Sequence, residues 1–146
     1  MRVYLDLCVI QRPLDTPNQV RIVLESEAVL GIIALCHKGQ IELLSSEVLV
    51  YEGEQNPLPI RREHTFAVLS EAKSVMMVME KEKKRAANLM TYGIKPLDAL
   101  HLALAETGRA DYFCTCDDRL LRNAREVKDL LVKVVDPVDL IREMEK

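Results

Sequence analysis

Asp6, Glu52, Asp98 and Asp117 are the residues of this chain best placed to do chemistry. Each stands at the end of an apolar, strand-like run or in the first turns of a segment with helical spacing. They are spread over most of the sequence, so no local run of charge accounts for them. Asp6 is wedged between Leu5 and Leu7-Cys8-Val9-Ile10, whereas a solvated turn aspartate ordinarily keeps polar neighbours. Four carboxylates gathered at one edge of a sheet repel one another and lose hydration unless a hard cation offsets them. That chemistry points to a Mg2+ or Mn2+ site.

The elements that must position these acids are legible as an alternation. Val3-Tyr4-Leu5 reads as a buried strand closed by Asp6, followed by a proline-containing loop over residues 12–18. Apolar helical spacing runs from Gln19 to Lys38 and stops at Gly39. Ile41-Glu42-Leu43-Leu44 is a second strand, and Ser45 or Ser46 caps a short helix carrying Glu52 about two turns in. A helix follows over residues 60–72, then Val75-Met76-Met77-Val78, which fits either an extended segment or the start of another element. A charged helix spans Glu80 to Tyr92. Pro96 opens the helix that bears Asp98. Tyr112-Phe113-Cys114 is a strand leading to Asp117 and a helix from Asp118. Val132 to Val135 is the next strand, and Asp136-Pro137-Val138-Asp139 starts a closing helix.

Short apolar strands alternating with helices predict a three-layer α/β/α sandwich around a parallel sheet of about four to five strands, in a single domain over residues 1–146. Ligands of such sheets sit beyond the carboxyl ends of the strands. Asp6 and Asp117 follow strands directly and so fall on that edge. The net charge of −3 gives no global basic field for nucleic acid, so phosphate binding has to come from a local patch or from metal. Arg119 and Arg122, three apart beside Asp117, could face a phosphate backbone, although the same spacing describes an ordinary solvated face. No apolar run is long enough to span a membrane and no secretory signal is visible, which predicts a cytoplasmic protein. Cys8, Cys36, Cys114 and Cys116 form no CxxC pair and read as buried free thiols.

Val3-Tyr4-Leu5-Asp6, Leu44-Ser45-Ser46 followed by Glu52, Pro96-Leu97-Asp98-Ala99-Leu100-His101-Leu102-Ala103 and Thr115-Cys116-Asp117-Asp118 together resemble the PIN domain, in particular the small prokaryotic VapC-like proteins. The likeness runs through essentially the whole chain. It implies a metal-dependent endoribonuclease using Mg2+ or Mn2+, commonly a toxin silenced by a cognate antitoxin protein and commonly a homodimer, with RNA as substrate. It also assigns the four acidic positions to Asp6, Glu52, Asp98 and Asp117, choosing Glu52 over Glu47 and Glu54 by its distance from Ser46. Asp118 and Glu27 are the auxiliary candidates. His101 reads as a packing histidine, because the proposed chemistry needs oxygen ligands. One departure stands out: the family often has a small hydroxyl residue just after the first aspartate, where this chain has Leu7-Cys8.

Other Mg2+-using α/β folds fit less well. A dehalogenase-type phosphatase needs Asp-x-Asp after its first strand, and Asp6-Leu7-Cys8 lacks the second acid. A receiver domain's acidic pair, central aspartate and later lysine are not laid out here. Residues 6–18 contain no glycine for a nucleotide-binding loop. The remaining rival is a catalytically silent PIN-like module that binds RNA or a protein.

Overall fold

The computed structural model describes residues 1–146. Its centre is β1 (Arg2–Leu5), whose Val3, Tyr4 and Leu5 are fully buried. A strand covered on both faces has no polar side to show, which is why this run is continuously apolar rather than alternating. β2 (Glu42–Ser46) lies on one side of it and β4 (Tyr112–Cys114) on the other. β3 (Ser74–Met76) and β5 (Lys133–Val135) form the edges, giving the order β3-β2-β1-β4-β5 with every pair parallel. The segment around Val75 thus resolves as extended edge strand, and the sheet has five strands.

Seven helices make the connections and an eighth closes the chain. β1 is followed by α1 (Leu7–Gln11), a turn of 3-10 helix over Arg12–Leu14 and α2 (Val20–His37). α3 (Glu47–Glu54) and α4 (Pro59–Leu69) join β2 to β3. α5 (Glu80–Met90) and α6 (Pro96–Thr107) join β3 to β4. α7 (Asp118–Arg125) precedes β5, and α8 (Pro137–Met144) packs back against α2. The sequence does not announce α1, since five residues are too few to show a helical period. The side chain of Asp6 starts it by accepting from the Leu7 amide. The predicted helix over 60–72 begins at Pro59 and ends at Leu69.

The starts of α3, α8 and α6 follow local chemistry. Ser46 rather than Ser45 caps α3, its Oγ accepting from the Leu49 amide at 3.1 Å. Asp136 caps α8 by accepting from the Asp139 amide at 2.8 Å. α6 begins at Pro96, whose missing N–H is no loss at a helix start.

The core joins both faces of the sheet, and its largest fully buried side chains include Tyr4, Phe113, Ile10 and Leu104. Phe113 stacks on Tyr4 with ring centroids 5.3 Å apart. Phe113→Ala is expected to cost about 3–5 kcal/mol, because the cavity opens between two central strands that cannot close on it. Urea unfolding measures this; a loss below about 1 kcal/mol would mean that the two rings do not anchor the sheet.

Candidate metal-binding and nuclease site

In an open parallel sheet the strand order reverses at one point, and there the connecting loops part to leave a crevice. Here the reversal lies between β1 and β4. Asp6 leaves the end of β1 and Asp117 follows the end of β4. Asp6 is still held in the ladder, its amide donating to the Cys114 carbonyl at 2.9 Å. Glu52 approaches from α3, which starts at the end of β2. Asp98 sits in the first turn of α6.

The four acids share one electrostatic field. The Asp98 carboxyl is pushed up to about 6, first by burial and then by the charges of Asp6, Asp117 and Glu52, with His101 opposing. Burial also raises Asp6, which is only 8% exposed; His101 and hydrogen bonds from Thr115, Cys8 and the Leu7 amide counter this. No lysine or arginine pairs with any of the four, and the only basic side chain in contact is His101, on Glu52.

The oxygens divide into those already held and those free. Asp6 Oδ1 accepts from the Leu7 amide at 2.9 Å, and Oδ2 accepts from Thr115 Oγ1 at 2.9 Å and from Cys8 Sγ at 3.5 Å. Asp117 Oδ1 caps α7, accepting from the Arg119 and Leu120 amides at 2.9 and 3.2 Å. One Glu52 oxygen is bound to His101 Nε2. Both Asp98 oxygens and the second oxygens of Glu52 and Asp117 have no protein donor and are open to a ligand. No three acidic, histidine or cysteine side chains stand close enough to form a closed metal cage. The donor chemistry nevertheless suits a hard cation, since the carboxylate oxygens repel one another and no lysine or arginine offsets them.

Thr115 changes the meaning of Leu7-Cys8. The hydroxyl that the resemblance places directly after the first aspartate is supplied here by Thr115, fully buried at the end of β4. The Asp117 amide donates to that same hydroxyl at 3.1 Å, so Thr115 links two of the four acids. Its place in Thr115-Cys116-Asp117 was the signal available in the sequence. The thiols divide: Cys36 and Cys114 are buried, Cys116 is half-buried and Cys8 is exposed, which corrects the prediction that all four are buried. None is in a disulfide.

The other candidates are otherwise engaged. Asp118 is held by Arg21 through two bonds of 2.8 and 2.9 Å, which joins α7 to α2. Glu27 is exposed on α2 and is not among the charges that move Asp98. The acid of α2 that turns inward is Glu25, 3% exposed and bonded by Arg12 and Arg21, a pairing that single-residue spacing could not reveal. Glu47 accepts from the Val78 amide at 2.5 Å and Glu54 is exposed, leaving Glu52 as the glutamate facing the other acids. Arg119 and Arg122 are both exposed on α7 beside Asp117.

A five-stranded parallel sheet with helical crossovers and acids at its switch point defines a PIN-like α/β domain. The chain belongs to the PIN domain family, whose model matches residues 3–126. Its fold is similar to that of FitAcB from Neisseria gonorrhoeae, with a TM-score of 0.60 at 18% identity over 93% of this chain and 98% of that one. It is also similar to VapBC2 from Rickettsia felis, solved bound to a DNA fragment from their promoter, with a TM-score of 0.61 at 13% identity and the same two coverages of 93% and 98%. PAE2754 from Pyrobaculum aerophilum matches over 100% of both chains, with a TM-score of 0.55 at 16% identity. No curated protein matches the chain in sequence. No helix is long and apolar enough to cross a membrane.

Proposed function

We propose that this chain is a single-domain, metal-dependent endoribonuclease that hydrolyses RNA phosphodiester bonds, with Asp6, Glu52, Asp98 and Asp117 as its metal-binding residues. The observation that carries the reading is the Asp98 carboxyl, driven up to about 6 by burial and by three other acids from three other elements. A fold does not need such a cluster for its own stability, and perturbed groups of this kind concentrate at functional sites.

The four carboxylates would hold Mg2+ or Mn2+, which when bound would supply positive charge and a more acidic water for phosphodiester hydrolysis. The chain's own contribution is orientation. Thr115 and the Leu7 amide hold Asp6, His101 holds Glu52, and the first turn of α7 holds Asp117. Asp98 is the uncommitted member, and in the metal-free protein, where it ionises at about 6, it must lose its proton before it can take a metal, so metal affinity falls as the pH drops through that value. Arg119 and Arg122, exposed on α7 beside Asp117, would be available to a phosphate backbone, and a local contact of this kind is compatible with a net charge of −3.

The branch of the family that the chain resembles supports a toxin role, with a cognate antitoxin as partner and a cytoplasmic setting. Exposed Val20, Leu24 and Leu30 on α2 and Ile60 on α4 provide apolar surface for an antitoxin or for a homodimer. The rival, a silent module binding RNA or protein, draws on one observation: both Asp6 oxygens already have protein donors. The deciding experiment is cleavage of mixed RNAs in Mn2+ by purified wild-type protein and by Asp6→Asn. Cleavage lost in the variant and restored by no other metal supports the nuclease. Mn2+ binding with every RNA left intact favours the silent module.

A further inference from the structure

Behind the four acids lies a chain of hydrogen bonds of which the nuclease reading uses only the last link, His101 on Glu52. The Leu49 amide donates to Ser46 Oγ at 3.1 Å. Ser46 Oγ lies 2.7 Å from Tyr4 Oη, and Tyr4 Oη lies 2.5 Å from His101 Nδ1. His101 Nε2 then reaches Glu52. Tyr4 and Ser46 are fully buried and His101 is 1% exposed, so water cannot substitute for any member.

For a neutral imidazole only one direction satisfies every group. A carboxylate only accepts, so Nε2 must carry the hydrogen given to Glu52. Nδ1 is then an acceptor and takes the Tyr4 hydroxyl hydrogen. The Tyr4 oxygen accepts the Ser46 hydrogen, and the Ser46 oxygen accepts the Leu49 amide. The loop leaves α3 at Leu49 and returns to α3 at Glu52. On the way it passes through β1 two residues before Asp6 and through α6 one turn after Asp98. Buried networks with every donor matched fix a single geometry.

We infer that Ser46, Tyr4 and His101 form a one-way positioning relay that sets the Glu52 carboxylate and holds the three elements bearing Asp6, Glu52 and Asp98 in register. Its consequence for metal binding rests on the nuclease reading; its direction does not. His101 is therefore a positioning residue whose imidazole fixes the carboxylate's free oxygen towards the other acids. Tyr4 sets the tautomer of that imidazole, as partners behind a ligand ordinarily do.

Two measurements on the full chain test this. Nitrogen-15 NMR of the imidazole should find His101 as the Nε2–H tautomer, and Tyr4→Phe should shift its Nδ1 signal; an Nδ1–H tautomer or a doubly protonated ring overturns the relay. Calorimetric Mn2+ titration should show affinity lowered about 10-fold by Tyr4→Phe and by His101→Leu, with His101→Gln recovering most of it through its amide donor. In a Glu52→Gln background the Tyr4→Phe loss should vanish, because the relay acts through that carboxylate. An equal loss in both backgrounds would indicate general loosening of the fold and overturn the inference. If wild-type protein binds no Mn2+, the nuclease reading fails, and the tautomer alone decides the relay.

Discussion

Asp98→Asn should yield a protein that is more stable and inactive. Loss of a free-standing carboxylate from a metal-binding set removes several kcal/mol of charge stabilisation, so RNA cleavage should fall about 10²- to 10³-fold. The stability change has the opposite sign. An aspartate in the unfolded chain ionises near its ordinary 3.8, whereas folded Asp98 ionises at about 6. Between those values the folded state holds more protons, so stability falls as the pH rises through the window, and the penalty is complete above it. Asp98 is half-buried, and solvent screening reduces the penalty to about 1 kcal/mol. In EDTA, Asp98→Asn should therefore gain about that much at pH 8 and nothing below about pH 4. Urea unfolding at the two pH values reads the difference. A variant equally stable or less stable at pH 8 would mean that the four acids do not strain the metal-free protein.

Mn2+ should relieve the same strain. At a free concentration 100-fold above its dissociation constant, a ligand that binds only the folded state stabilises it by about 2.7 kcal/mol. For a chain of this size that raises Tm by about 5–10 °C. The rise should shrink as the pH falls below about 6, because Asp98 then retains its proton, and it should be mostly lost in Asp98→Asn. Sodium chloride at matched ionic strength provides the control for general screening. An equal rise in wild type and Asp98→Asn would place the Mn2+ site elsewhere on the molecule.

Much of this arrangement could be read from the residues alone. The alternation of short apolar runs with helical segments specified a parallel α/β sheet, because strands buried on both faces cannot alternate in polarity. The motifs around Asp6, Glu52, Asp98 and Asp117 named the four acids that share one field in the fold, and the strand ends put Asp6 and Asp117 on the same edge. Caps were legible where a side chain meets amides of its own first turn, as at Asp117 and Asp136. Edge strand β3 was ambiguous because a three-residue strand exposed at its centre has no period to detect.

Other features depended on contacts distant in sequence. Thr115 reaches Asp6 across 109 residues and His101 reaches Glu52 across 49, so no local pattern records either bond. His101 looked like a packing residue because one imidazole on an apolar helix reads alike whether its nitrogens are buried or matched. Asp118 looked free for chemistry until folding placed Arg21 beside it. The sequence by itself determined the kinds of residue present and the edge of the sheet they reach, since both follow from side-chain type and strand direction. Only the tertiary structure decided which carboxylate oxygens are spent on internal hydrogen bonds and which are left for a ligand, because a hydrogen bond requires its two partners within about 3 Å, however far apart they lie in the chain.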